Sequence, residues 1–306
     1  MKKSIKRFKD SYFFYSFKRD KTAMASFITL VVLILLSITA PIVSPYNPYN
    51  ADNIDIMNSE IPPAWNEEGT SEFLLGTDNM GRDLLSTMIY GLRISVIIGI
   101  GAVALQAMLG ILVGLTAGYI GGKVDSVLMR IADIQFSFPY LMVAIFISAI
   151  FQVVFGMGSF EKLAVPLLIV IIGLAEWPVY ARTIRATVMG EKNKEYVEAA
   201  RVIGLSRFVI MVRHVLPNTL TSVLVISTIQ VANAVMSEAA LSFLGLGMPV
   251  TKPSLGSLIK SGFEYIFSGS WWITIFPGIL LVLFVLVVNL LGDWLRDVLN
   301  PKLYKG

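Results

Sequence analysis

Three carboxylates stand inside or beside long apolar stretches of this chain, Asp133, Glu176 and Glu238, and a single imidazole, His214, sits in a basic turn. An ionised group at membrane depth is expensive in lipid, so it usually faces a cavity or a partner. Asp133 and Glu176 are expected near helix ends, paired with a base such as Arg130, Arg182 or Arg185. Glu238 precedes Leu241-Ser242-Phe243-Leu244-Gly245-Leu246-Gly247 at the outer end of an apolar run. There its carboxylate, with Ser242 and Phe243, can border a path through the membrane and meet a cationic group, or it can simply cap a helix or join a salt bridge. One imidazole makes no selective metal site, so His214 reads as an interfacial polar residue.

Bond-making chemistry is otherwise scarce. The chain has no cysteine, which excludes thiolate catalysis and Cys-ligated zinc or iron–sulfur sites. Ala117-Gly118-Tyr119-Ile120-Gly121-Gly122-Lys123-Val124 approaches a phosphate-binding loop but lacks the leading glycine and the Ser/Thr after the lysine. No HExxH occurs, and a Ser–His pairing has only His214 to draw on. No catalytic residue, cofactor site or metal site is therefore expected. Gly76-Thr77-Asp78-Asn79-Met80-Gly81-Arg82-Asp83 fails the calcium-loop pattern, because Met80 and Arg82 stand where oxygen ligands are required. A glycine-bearing turn followed by an Asp-capped helix is the simpler account.

The most specific spacing belongs to a polar stretch: Glu195-Tyr196-Val197-Glu198-Ala199-Ala200-Arg201-Val202-Ile203-Gly204-Leu205, continuing to His214-Val215-Leu216-Pro217. Residues 191–203 read as a helix supported by Lys194–Glu198 and Glu198–Arg201 pairs and stopped by Gly204. Ser206 can cap a second short helix running into Pro217. Ala199 and Ala200 carry almost no side chain, so this surface can enter a groove on another protein while Glu198 and Arg201 fix the register. The physical reading is a docking helix.

The elements that must position these groups are membrane spans. The chain is 55% hydrophobic and 15% charged over 306 residues, an unusual balance for a soluble protein. Its apolar residues form six stretches of about 20 residues, each long enough to cross hydrocarbon as a helix. They are placed at Ala23–Val43, Ile94–Tyr119, Val127–Phe151, Leu163–Ala181, Val215–Val235 and Trp271–Leu291. The expected fold is thus an all-α membrane protein with six transmembrane helices, since backbone groups in lipid are satisfied within each segment. With the N-terminus inside, cytoplasmic segments hold 20 of the 25 lysines and arginines, which puts both termini in the cytoplasm. The net charge of +4 therefore reports orientation and gives no reason to expect nucleic acid as a partner.

Residues 4–19 place Ile5, Phe8, Tyr12 and Tyr15 on one face among lysines and arginines, as an amphipathic helix lying on the membrane lipid; a lipid-binding switch has the same composition. Residues 44–92 form an acidic, Pro-rich external loop, read as an ordered cap. Gly110, Gly114, Gly118 and Gly122 recur every four residues, a smooth ridge for packing within the bundle or for a subunit seam.

Glu-Ala-Ala, three residues, Gly204, nine residues and then His214-Val215-Leu216-Pro217 resembles the coupling-loop signature of ABC importer permeases, with His214 departing from a usual isoleucine. Pro63-Ala64-Trp65, Leu75 to Ser86, Gly91-Leu92-Arg93-Ile94-Ser95 and Leu241 to Gly247 look like the C-type permease of dipeptide, oligopeptide and nickel importers. The resemblance implies a type I ABC importer transmembrane domain over residues 93–293, with a cytoplasmic segment 1–22, a first span 23–43 and a tail 294–306. It also implies a bacterial or archaeal inner membrane, a heterodimer with a second permease, two cytoplasmic ATPase subunits that bind ATP and Mg, and an extracytoplasmic binding protein. Glu198, Ala199, Ala200, Arg201, Gly204, Leu216 and Pro217 would couple ATPase motion to transport. Peptides are the expected cargo, with nickel or glutathione as alternatives; an ATP-independent carrier or a membrane scaffold would leave the 191–217 pattern unexplained.

Overall fold

The computed structural model describes residues 12–50 and 54–299. Apart from an isolated bridge between Thr77 and Asp83, the regular structure of these residues is helical. In chain order the helices are α1 (Tyr12–Arg19), α2 (Lys21–Ile38), α3 (Ala40–Val43), α4 (Leu84–Ile120), α5 (Gly122–Phe136), α6 (Tyr140–Phe155), α7 (Met157–Glu191), α8 (Glu195–Val202), α9 (Arg207–Phe243), α10 (Leu255–Tyr265) and α11 (Trp272–Val298). Five of them, α2, α4, α7, α9 and α11, are long and apolar enough to cross a membrane. Counting α5 and α6 as one broken crossing gives six.

That broken crossing corrects the expected straight span over Val127–Phe151. The two helices meet at 82°. Phe138 precedes Pro139, a position pushed out of helical geometry, and the Ser137 hydroxyl folds back onto the Asp133 carbonyl at 3.0 Å. The first run is also interrupted: Pro41 has no amide with which to continue the α2 ladder, and α3 forms a separate last turn. Of the amphipathic segment 4–19, α1 is described and Ile5 and Phe8 lie outside the described residues. Tyr15 is exposed, while Phe17 packs edge-on against Phe27 of α2 and Trp294 of α11, anchoring α1 to the bundle.

The core forms where α4, α7 and α9 meet. Ile98, Leu168, Ile171, Ile172, Ala234 and Leu241 are fully or almost fully buried in one cluster. The glycine ridge of α4 lies against α7, the intramolecular reading of the two left open. A Cβ on Gly110 would stand 2.2 Å from Tyr180 Cβ, one on Gly114 2.4 Å from the Ala181 carbonyl oxygen, and one on Gly118 2.9 Å from the Arg185 carbonyl oxygen. Gly122, past the end of α4, meets nothing within 4 Å. Small residues matter here because lipid offers no hydrophobic drive between helices, leaving close van der Waals approach to hold them. Gly114→Val should therefore force α4 from α7 and destabilise the chain by about 3 kcal/mol. Unfolding in detergent checks this, and an unchanged melting temperature would show that the two helices can separate at no cost.

Helix α10 was absent from the sequence expectation. Ser254 and Ser257 form a capping box, and Gly256 sits where a Cβ would lie 2.4 Å from Ala239 Cα, so α10 is pinned on α9. The loop before α4 is an ordered cap on the same end of the molecule. Arg82, 2% exposed, pairs with Asp78 at 2.7 Å and donates to the Val250 carbonyl at 3.0 Å. Trp272 Nε1 donates to the Thr77 carbonyl at 3.1 Å, tying the same turn to α11. Gly81 (φ +74°) approaches so closely that a Cβ would collide with the Asp55 carbonyl. As expected, Asp83 caps α4, accepting from the Ser86 amide at 2.8 Å. Burial pushes the Asp83 carboxyl above the usual carboxylate range, although the Ser86 donors pull it back.

Candidate docking site and buried polar groups

At the end of the bundle opposite α10, α7 stops at Glu191 and the chain turns into α8. The helix is shorter than the expected 191–203: Lys192 closes α7 and Lys194 caps α8 from an extended backbone. The ion pairs also differ. Lys194 binds Glu191 rather than Glu198, and Arg201 donates to the Lys192 carbonyl at 3.3 Å. Glu198 makes no ion pair among the described residues. Its carboxylate stays available on the surface because the two bases flanking it in sequence are drawn back to the end of α7.

Gly204 ends α8 as the sequence indicates. It takes φ +86°, and the Leu205 amide reaches back to the Ala200 carbonyl at 3.2 Å. Val197 and Ala200 turn inward, whereas Glu198, Ala199, Arg201 and Gly204 are exposed. Beside them Val202 is 88% exposed, Ile203 78% and Phe208 69%, an apolar tip at a turn that propensity alone would leave polar. Sequence reasoning missed these three, although their succession at the foot of a charged helix was visible. Tyr196 braces the helix from behind: its hydroxyl donates to Glu191 at 2.6 Å and accepts from Asn218 at 3.2 Å. Burial and the Glu191 carboxylate push that phenol up to about 12.

Ser206 caps the following helix at the Val209 amide, as expected. The helix does not stop at Pro217. Residues Ile210–Val215 form a π-helical stretch in which the Leu216 amide reaches Met211, and α9 continues through Leu216 and Pro217 to Phe243. The wider turn leaves room for the proline ring, and Asn218 Nδ2 takes up the His214 carbonyl at 2.8 Å. A cavity of about 770 Å³ opens between α4 and this tip, lined by Tyr119, Arg201, Leu205, Arg207, Phe208 and Met211 among others.

The carboxylates separate into three environments. Asp133 pairs with Arg182 at 2.7 Å, one of the bases anticipated. Glu176 pairs with no base among the described residues. It accepts from Gln106 Nε2 at 3.3 Å, Gln230 Nε2 at 3.2 Å and Ser237 Oγ at 3.2 Å. Those glutamines, on α4 and α9, carry no formal charge and so escaped a search for ionisable groups. Glu238 is fully buried, bound by Ser95 Oγ at 2.8 Å and Ser242 Oγ at 2.6 Å. Ser242 in turn accepts from the Met248 amide at 2.9 Å and borders a cavity of about 270 Å³, shared with Asn79, Glu161 and Lys260. Phe243 is 38% exposed and packs edge-on against Phe263 of α10.

These features define a polytopic helical membrane protein with an exposed helix, α8, at one end of its bundle. Residues 110–305 match the family model described as binding-protein-dependent transport system inner membrane component, and residues 11–63 match that of the N-terminal TM domain of oligopeptide transport permease C. The chain belongs to the family of binding-protein-dependent transport system inner membrane components, the permease subunits of ABC importers. It is similar to a di/tripeptide transport system permease protein of Pseudomonas aeruginosa (strain UCBPP-PA14), 40% identical over 79% of this chain and 76% of that one. It is also similar to a dipeptide transport system permease protein of Bacillus subtilis (strain 168), 35% identical over 81% and 72%. A solved structure described as inward facing conformations of the MetNI methionine ABC transporter aligns over 69% of this chain and 97% of that one, at 21% identity and a TM-score of 0.49.

Proposed function

We propose that this chain is one of two permease subunits of an ATP-driven importer of di- and oligopeptides, with both termini and α8 in the cytoplasm. The α8 tip carries the reading. Glu198, Ala199 and Arg201 sit beside the exposed Val202 and Ile203, an apolar and charged surface that fits a groove on a separate ATPase subunit. Gly204, Leu216 and Pro217 set the turn and the helix that carry motion from this surface into α9. The ATPase subunits hold ATP and Mg, a second permease covers the exposed apolar faces of α5 and α6, and an extracytoplasmic binding protein delivers cargo to the α10 end. Ser242 and Phe243 border the entrance there, and Glu238 behind them sets its polarity. The peptide assignment is supported by the names of the relatives.

ATP binding and hydrolysis would move each ATPase and its docked α8 between two positions, biasing a two-state bundle toward one side of the membrane or the other. Uptake of a labelled dipeptide and of radioactive nickel, in cells with and without the gene and with ATP depleted, tests the proposal. Loss of ATP-dependent dipeptide uptake alone is the expected result. Loss of nickel uptake alone would move the cargo to the metal, and uptake surviving ATP depletion would overturn the importer class.

A further inference from the structure

Toward the Phe243 end of α9 an amide is exposed where lipid would penalise it. Asn233 lies on the open face of the helix, in line with Met236, Ala240 and Phe243 at spacings of three, four and three residues. Phe243, at the far end of this stripe, is the residue assigned above to the entrance, about 15 Å away at ~1.5 Å per residue. Behind Asn233 the polar groups deepen. Its Nδ2 donates to Gln230 Oε1 at 2.8 Å, and Gln230 donates to Glu176, which is 7% exposed. Two side-chain amides and a hydroxyl surround the Glu176 carboxyl, the amides on one oxygen and the hydroxyl on the other. Amide donors converging on a carboxyl oxygen favour its ionised form. No cation pairs with it among the described residues.

We infer that the Asn233 stripe of α9 lines the translocation pathway and that Glu176, set behind it, makes that stretch electronegative, favouring the α-ammonium end of a passing peptide. The inference rests on the transport reading for its occupant. An uncompensated carboxylate with an exposed carboxamide in front of it cannot face hydrocarbon cheaply; facing water, the same pair presents a neutral hydrogen-bonding surface with a negative potential behind it. The three neutral donors hold Glu176 in place without cancelling its charge, as a bound lysine or arginine would.

Because the chain has no cysteine, Asn233→Cys gives it a single thiol. In the assembled complex in membranes, this variant is treated with a cationic methanethiosulfonate (ethyltrimethylammonium) and an anionic one (ethylsulfonate), and modification of this chain is followed by mass. Both reagents should react; with each rate divided by that reagent's rate on a free thiol in solution, the cationic one should be favoured by about tenfold, and adding Glu176→Gln should bring the two normalised rates close together. No modification by either reagent would overturn the assignment of the face, and equal normalised rates with Glu176 present would overturn the electronegative field. The same labelling in a complex that takes up no peptide with ATP would leave the lined path standing and remove the peptide as its occupant. Ser237 and Gln106, buried behind the stripe, serve as internal controls: a cysteine at either position should react far more slowly than one at position 233.

Discussion

Ile203→Glu should lower ATP-driven uptake about 30-fold or more while the chain is made and inserted at its normal level, because on the docking proposed for α8 it places a charge among the apolar contacts that would carry most of the interface's energy. Ile203 closes α8 and is 78% exposed, so the substitution disturbs no packing within the chain. Loss of the ATPase from the purified complex would accompany the loss of uptake. Normal uptake and normal co-purification would show that the ATPase docks elsewhere. Gly204→Asp is a gentler form of the same test: its Cβ meets nothing within 4 Å, and the φ of +86° costs an L-residue about 1–2 kcal/mol at a helix end that frays easily. Its expected effect is uncoupling of ATP use from transport, with insertion preserved.

Asp78→Ala should be the most destabilising single change on the opposite end. It leaves the Arg82 guanidinium, 2% exposed, with only the Val250 carbonyl for a partner, and breaking one side of a buried ion pair typically costs about 3–5 kcal/mol. Thermal unfolding in detergent and proteolysis of the 54–83 loop would both report it. The double change Asp78→Asn with Arg82→Met should recover part of the loss, since it removes the stranded charge and keeps an Oδ1 acceptor for the Met80 and Arg82 amides. A single variant that melts with the parent would show that water reaches Arg82 and that the cap is held by Thr77, Trp272 and the glycine turns instead.

The sequence is legible where one residue type answers one local demand. Gly204 marks a left-handed stop, Asp83 a cap, and the four-residue glycine period of α4 a close helix contact, and each of these stands where its chemistry requires. The apolar runs likewise locate the spans, because length and hydropathy are summed over many residues. What stays hidden depends on contacts distant in the chain. The partners of Glu176 come from Gln106, 70 positions away, and Gln230, 54 positions away, and no charge pattern announces them. Lys194 has three carboxylates within four positions, Glu191, Glu195 and Glu198, and only the three-dimensional turn between α7 and α8 chooses Glu191. Pro217 suggests a helix end, yet the π-helical stretch just before it lets α9 run on. The break at Pro139 is the reverse case, a span read as continuous from its hydropathy and bent where Phe138, ahead of the proline ring, leaves helical geometry.

The interlock of α4 with α7 has a mechanical consequence. At 37 residues α4 is about 55 Å long, nearly twice the thickness of the hydrocarbon it crosses. Tyr180, Ala181, Ile184 and Val188 mesh with its glycines like teeth in a rack, and Lys192 Nζ bolts the foot of the pair to the Gly118 carbonyl at 2.8 Å. Two helices meshed in this way cannot slide past one another over the glycine contacts, and the points where the pair can bend are Pro166 and Pro178 of α7. On the coupling proposed above, a push on α8 would be carried along this pair toward the Asp83-capped loop, with its direction set at those two prolines.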